Sequence, residues 1–350
     1  MNKTINIGNR KINENEPVFI VAELSGNHNG DFNRAIEIIH AAKESGADAV
    51  KLQTYTPDTM TLDCDNEHFK LNRGTIWDGV TLHTLYQTAY TPWDWQPKLM
   101  EEAEKLGLIC FSSPFDFTAV DFMADLNMPA YKIASYEVND IPLIRKAAAQ
   151  NKPVIIATGI AYPEDIDLAL KTCREENNEN IMLLKCVSAY PTNLEDVNLK
   201  TIPTLAAEYD CLVGLSDHTL GGITALGAVS LGAVMIEKHL TLKRADGGPD
   251  ATFSMEPAEF ATMVQEIRDL EKALGHPQYT LTPKQIKERE GARSLFASRD
   301  IKAGTPLTPE NIRSIRPATG LPPQYYDEVL TKTAKCHIPY GTPLTKDMLT

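Results

Sequence analysis

Short apolar runs alternate with amphipathic stretches through the first three quarters of the chain. The apolar runs are Val18–Glu23, Ala49–Gln53, Ile109–Ser113, Ala130–Ile133, Val154–Thr158, Ile181–Cys186, Leu212–Ser216 and Val234–His239. The amphipathic stretches are Arg34–Ser45, Trp93–Lys105, Phe117–Leu126, Pro142–Gln150, Pro163–Glu175, Asn198–Glu208, Gly221–Leu231 and Pro257–Leu274, with apolar residues at helical spacing. Near-continuous apolar strands joined by helical crossovers predict a parallel sheet buried on both faces. Eight such units predict a (β/α)8 TIM barrel over residues 1–275. An open doubly wound sheet is the rival, but it has no need of eight units. The stretch from Thr54 to Pro92 is long for a βα loop. Barrels place substrate-binding parts on such loops, and Trp77, Asp78 and Tyr86, with Trp93 just beyond, suit a sugar. A plain surface excursion fits it equally well.

The pattern changes after Leu274. Residues 276–291 are polar and contain proline, as expected of a linker, and residues 292–350 form a small β-rich domain. Within it Ile301 to Ile312 and Ile338 to Leu349 share the run Gly-Thr-Pro-Leu-Thr, which predicts internal pseudo-symmetry. Two copies are too few for a solenoid. So small a domain, with few large apolar residues, needs support from elsewhere.

Composition narrows the partners. Hydrophobic content of 43% and 23% charged residues are ordinary for a globular protein. No apolar stretch approaches the ~18 residues of a membrane span, and Met1 to Asn6 lacks the apolar core of a signal peptide. The net charge of −13 argues against nucleic acid or an anionic membrane, yet leaves room for an anionic small molecule held by focused lysines. Six cysteines without a CxxC pair fit reduced thiols, and with them a cytoplasmic location.

Candidate chemistry lies at the strand ends, where barrels of this kind place their catalytic groups. They carry Glu23, Lys51, Gln53, Ser113, Lys132, Ser135, Thr158, Ser188, Tyr190, Ser216, His218, Glu237 and His239. Side chains two apart share a strand face, so Ser216 points with His218, and Glu237 with His239. Two histidines on neighbouring strands can hold one divalent ion, and imidazole suits Mn, Co, Fe or Zn better than Mg. Water or substrate oxygens would complete such an open shell. Lys51 and Lys132 with Ser113, Ser135, Ser188 and Ser216 read as a phosphate cradle. Either lysine could instead form a Schiff base, as in aldolases of this fold.

Several runs together resemble the sialic acid synthase family: Ala22 to Gly30 (AELSGNHNG), Val50 to Thr54 (VKLQT), Ser112 to Phe115 (SSPF), Tyr131 to Ser135 (YKIAS), Gly214 to Thr219 (GLSDHT) and Ile236 to His239 (IEKH). The resemblance spans the chain and implies a TIM barrel followed by an antifreeze-like (SAF) domain. Trp77 to Gly79, Tyr86 to Trp95, Arg244 to Gly248, Asp250 and Phe253-Ser254 resemble the branch that makes pseudaminic acid. The family implies condensation of phosphoenolpyruvate with an amino-sugar aldehyde, here 2,4-diacetamido-2,4,6-trideoxy-L-altrose. N-acetylmannosamine or the legionaminic precursor is the alternative acceptor. It further implies that His218 and His239 bind a divalent metal, Mn2+ with Mg2+ or Co2+ as substitutes. Lys51, Ser113, Lys132, Ser135, Ser188 and Ser216 would hold phosphoenolpyruvate. Glu23, Gln53, Tyr190, Asp250 and Arg316 would contact the sugar, with Glu23, Glu237 and Lys51 catalytic. Arg316 would come from the partner subunit of a domain-swapped homodimer. Two positions depart from the family: Ser188 stands where asparagine is common, and Ala318-Thr319-Gly320 where Gly-Asn-Gly is usual. A different acceptor sugar would explain the second.

Overall fold

The computed structural model describes residues 3–72, 74 and 76–350. It divides into two compact units, Met1–Gly275 and His276–Thr350. The first opens with an antiparallel hairpin of β1 (Ile5–Ile7) and β2 (Arg10–Ile12). Eight parallel strands follow: β3 (Phe19–Glu23), β4 (Ala49–Thr54), β5 (Ile109–Pro114), β6 (Tyr131–Ile133), β7 (Val154–Ala157), β8 (Ile181–Cys186), β9 (Leu212–Asp217) and β10 (Met235–His239). They close into a barrel as β10 pairs with β3, so the closed sheet expected from the eight apolar runs is the one formed.

Strand alternation divides the core in two. Residues pointing outward, such as Ile20, Ala22, Val50, Leu52, Ile133 and Ile156, pack beneath the surrounding helices. Residues pointing inward, such as Phe19, Val21, Phe111, Ile155, Met182, Leu184 and Met235, fill the barrel's lower half. Ile5, Ile7 and Ile12 of the hairpin join that inner cluster and stopper the N-terminal mouth. The interior is therefore apolar below, and among the described residues its polar side chains gather at the C-terminal mouth. The helices begin at local signals. Asp31 accepts from the backbone amides of Asn33 and Arg34 to cap Phe32–Glu44, and Asp116 caps Phe117–Asp125 in the same way.

The long βα segment after β4 carries two short helices, Pro57–Met60 and Leu82–Ala89. Among the described residues no helix is long and apolar enough to cross a membrane, and all six cysteines are free thiols.

The second unit contains a helix, Pro283–Glu288, within the stretch expected to be a linker; Thr282 caps it. Beyond it β11 (Ser294–Ala297) pairs antiparallel with β12 (Ile312–Ile315). The two sequence repeats interlock. Ile301 and Ile338 exchange backbone hydrogen bonds of 2.9 and 2.8 Å. The amide of Gly304 donates to Ala334 and that of the matching Gly341 to Ala297. Likewise Leu307 donates to Lys332 and its counterpart Leu344 to Leu295. Gly304 and Gly341 have φ of +76° and +78°, the left-handed turn that favours glycine at both sites. Leu307, Ile312, Leu344 and Leu349 then share one small core.

Candidate active site

The inward positions of β3 to β6 and of β8 to β10 end in a buried polar layer. Register places Lys51 beside Glu23, and His239 on the other side of the same glutamate. The Lys51 ammonium lies 2.7 Å from Glu23 Oε2 and 3.7 Å from Glu237 Oε1, and it donates to Ser113 Oγ at 3.3 Å. Lys132 Nζ approaches Glu237 Oε1 at 3.5 Å, and the Ser216 hydroxyl donates to the same oxygen at 3.0 Å. Gln53 Nε2 donates to Glu23 Oε1 at 2.9 Å. Two ammonium and two carboxylate groups thus share a site from which water is almost excluded.

The two carboxyls are pushed apart. Burial opposes charge on Glu237, but Lys132, Lys51 and the Ser216 hydroxyl outweigh it and hold its carboxyl below the usual range. Burial dominates at Glu23 and leaves its carboxyl above that range despite Lys51. The lysines diverge as well. Lys51 titrates above its usual range because Glu23 and Glu237 outweigh burial, whereas burial wins at Lys132 and lowers it. Oε2 of Glu237 is buried and has no hydrogen-bond partner among the described residues.

His218 and His239 face the same cavity with ring centroids 5.3 Å apart. The Nδ1 of His218 lies 2.9 Å from the carbonyl oxygen of Val187, and that of His239 lies 3.2 Å from Ser25 Oγ. Their Nδ1 atoms are therefore engaged by the protein. Among the described residues, no group of three or more His, Cys, Asp or Glu side chains could hold an ion by itself. The two imidazoles fit a metal whose remaining shell is completed by water and substrate.

Aromatic rings roof the site. The Tyr190 ring packs, tilted, with its centroid 4.4 Å from that of His218 and 5.2 Å from that of Phe253, and the Trp77 ring centroid lies 5.6 Å from that of Tyr190. Trp77 Nε1 donates to the carbonyl of Pro249 at 2.8 Å, which ties the long insertion to the loop after β10. Asp250 on that loop accepts from the Gly26 amide at 3.3 Å. Ser135 and Ser188 flank Gly159, whose amide donates to Ser135 Oγ at 3.1 Å. A Cβ on Gly159 would fall 2.3 Å from Ser188 Oγ and 2.6 Å from Ser135 Oγ. Glu23, Lys51, Gln53, Ser113, Lys132, Ser216, His218, Glu237 and His239 share this mouth, whereas Thr158 turns its hydroxyl to the Leu184 carbonyl and Trp93 packs on Phe122. Arg316 belongs to the second unit, just after β12.

Other residues of the site had no clear signal in the sequence. Tyr55 is buried with its hydroxyl near Asp250, Tyr86 and Glu23, and burial raises its titration well above the usual range. It extends the inward parity of Lys51 and Gln53, the one clue available beforehand. The thiol of Cys186 lies 3.8 Å from His218 Nδ1; despite burial, His218, Ser135 and Lys132 lower its pKa to about 7. Asp217 and Lys238 point outward from β9 and β10 and form a buried pair of 2.6 Å, with Thr224 donating to the same carboxylate at 2.6 Å. Lys238 also donates to the Thr219 carbonyl at 2.7 Å. That pair braces the strand ends bearing both histidines.

Fold and site together define a (β/α)8-barrel enzyme with a buried lysine–carboxylate–histidine floor under an aromatic roof. The NeuB family model matches residues 38–279, and the SAF domain model matches residues 292–350. The chain belongs to the NeuB family. It is 45% identical over 97% of its length, and 98% of the relative's, to the pseudaminic acid synthase of Campylobacter jejuni strain 81-176. It is 47% identical to that of Helicobacter pylori, over 95% of this chain and 98% of the relative. Among solved structures, the N-acetylneuraminic acid synthetase of Leptospira borgpetersenii superposes with a TM-score of 0.74 at 33% identity. It covers 82% of this chain and 95% of its own.

Proposed function

We propose that this chain condenses phosphoenolpyruvate with 2,4-diacetamido-2,4,6-trideoxy-L-altrose and water, giving pseudaminic acid and phosphate. The observation that carries the proposal is the buried convergence of Lys51, Lys132, Glu23, Glu237, His218 and His239. Near-full-length similarity to pseudaminic acid synthases favours the trideoxy-altrose acceptor. The 35% identity to the N,N'-diacetyllegionaminic acid synthase of Legionella pneumophila keeps a manno-configured acceptor as the alternative.

In this scheme Lys51 and Lys132 neutralise the phosphate and carboxylate of phosphoenolpyruvate, and Ser113, Ser135, Ser188 and Ser216 donate to their oxygens. Carbon 3 attacks the aldehyde carbon. Glu237, kept ionised by its lysines, orients water and accepts its proton through its free oxygen as the water adds to carbon 2. Glu23, with the higher pKa, meets the sugar beside Gln53 and Tyr190. The tetrahedral intermediate then loses phosphate by C–O cleavage. His218 and His239 would hold a divalent ion, taken as Mn2+ with Mg2+ or Co2+ as substitutes. When bound, that ion supplies Lewis-acid polarisation of the aldehyde. Arg316 would bind the sugar from the small domain of the other subunit in a domain-swapped homodimer working in the cytoplasm.

Phosphate release should require both the trideoxy-altrose and Mn2+, and should stop with EDTA. Release with N-acetylmannosamine instead would keep the chemistry and change the acceptor. In 18O-water the phosphate should emerge unlabelled; labelled phosphate would sink the C–O route. The lowered titration of Lys132 favours a Schiff base as the second reading. Borohydride trapping of pyruvate on Lys132, with activity surviving EDTA, would establish it instead.

A further inference from the structure

Ser25 has a backbone φ of +43°, in the left-handed region that a Cβ disfavours. The glycine of this turn is its neighbour, Gly26, where a Cβ would lie 2.6 Å from Pro249 Cγ. The chain therefore holds a strained, buried serine at a position whose backbone would suit glycine better. Such strain persists where the side chain has a task.

The surroundings of Ser25 define that task. Its Oγ lies 3.2 Å from His239 Nδ1 and hydrogen-bonds the Asp250 carboxylate. A carboxylate can only accept, so the serine hydroxyl donates to Asp250 and turns a lone pair toward His239. The imidazole then donates from Nδ1, which leaves the acceptor pair on Nε2. On His218 the carbonyl of Val187 imposes the same tautomer directly. Asp250 is itself held by the Gly26 amide, and its segment is pinned where Ser254 Oγ donates to the Asp250 carbonyl at 2.7 Å.

We propose that Ser25 is a positioning residue, linking Asp250 to His239 so that both histidines present Nε2 to the same divalent cation. This rests on the proposed metal role of His239. It also gives Asp250 a part beyond contact with the sugar. Metal-bound histidines ordinarily donate their second nitrogen to a carboxylate or carbonyl; here a hydroxyl stands between.

Ser25→Gly separates this role from folding, because glycine relieves the backbone while deleting the hydroxyl. Mn2+ affinity of the purified full-length chain, measured by calorimetry without substrates, should fall about 10- to 100-fold. The thermal midpoint should match or exceed that of the parent. Ser25→Ala, which keeps the strain, should lose the same affinity with a lower midpoint than Ser25→Gly. Unchanged Mn2+ affinity in both variants, with His239→Ala losing binding, would overturn the role of Ser25 alone. Unchanged affinity in His239→Ala as well would overturn the metal reading beneath it.

Discussion

Glu23, Lys51, Lys132 and Glu237 are each at most 4% exposed, so every charge in the quartet depends on the others. Breaking a buried pair costs about 3–5 kcal/mol because it strands a charge. Lys51→Met should therefore lower stability by about that much in urea titrations and abolish phosphate release. Adding Glu23→Gln should recover most of the stability and none of the activity; recovery of both would remove Lys51 from the chemistry. Glu137 offers a test by pH. Burial pushes its carboxyl from 4.5 to about 7, against the pull of Lys132. A raised folded pKa means stability is fully present below about 4.5, declines as pH rises toward 7, and is flat above. Glu137→Gln should erase that decline and, at pH 8, exceed the parent by on the order of 2 kcal/mol. Equal pH slopes for both proteins would sink this. At this scale the histidine and glutamate pairs were legible because strand parity is local. Ser25, Tyr55 and the Asp217–Lys238 pair were not, since each owes its role to a partner distant in sequence or to a φ angle that no pattern reveals.

Among the elements, the barrel strands read cleanly because each is apolar on both faces and each lies between helical stretches. The β1–β2 hairpin escaped notice: strands of three residues carry too little alternation to stand out. The long segment after β4 was legible only as an excursion, since its bond from Trp77 to Pro249 is a tertiary event. The turn after β7 makes a sharper prediction. Gly159→Ala should displace Ser135 and Ser188 and raise KM for phosphoenolpyruvate about tenfold or more, leaving the melting temperature nearly unchanged. Wild-type kinetics would place the phosphate elsewhere. Lys238→Met, behind the barrel wall, should instead cost stability of about 3–5 kcal/mol and loosen Mn2+ binding together.

At the scale of the molecule, the proposed exchange of small domains predicts complementation. Arg316→Ala and His239→Ala homodimers should each be nearly inactive. Unfolding and refolding them together should restore activity, because half of the sites in a mixed dimer would combine an intact barrel with an intact Arg316. No recovery would put Arg316 in its own subunit's site or outside the reaction. The doubled Gly-Thr-Pro-Leu-Thr run was visible as a repeat, but its interlocking was not, for pairing between copies leaves no trace in either one.

That interlocking means neither half of the small domain can be a folding unit. The amides of Gly304 and Leu307 find their acceptors beyond Leu330, and those of Gly341 and Leu344 find theirs before Ser298. When the chain has emerged from the ribosome only as far as Ile312, the acceptors for the amides of Ala297, Ile301, Gly304 and Leu307 are still missing, so order must wait for the last residues. A peptide of one half, synthesised alone, should stay disordered when dilute and gain structure only by pairing with a copy of itself. Within the intact chain, the second half occupies that copy's place.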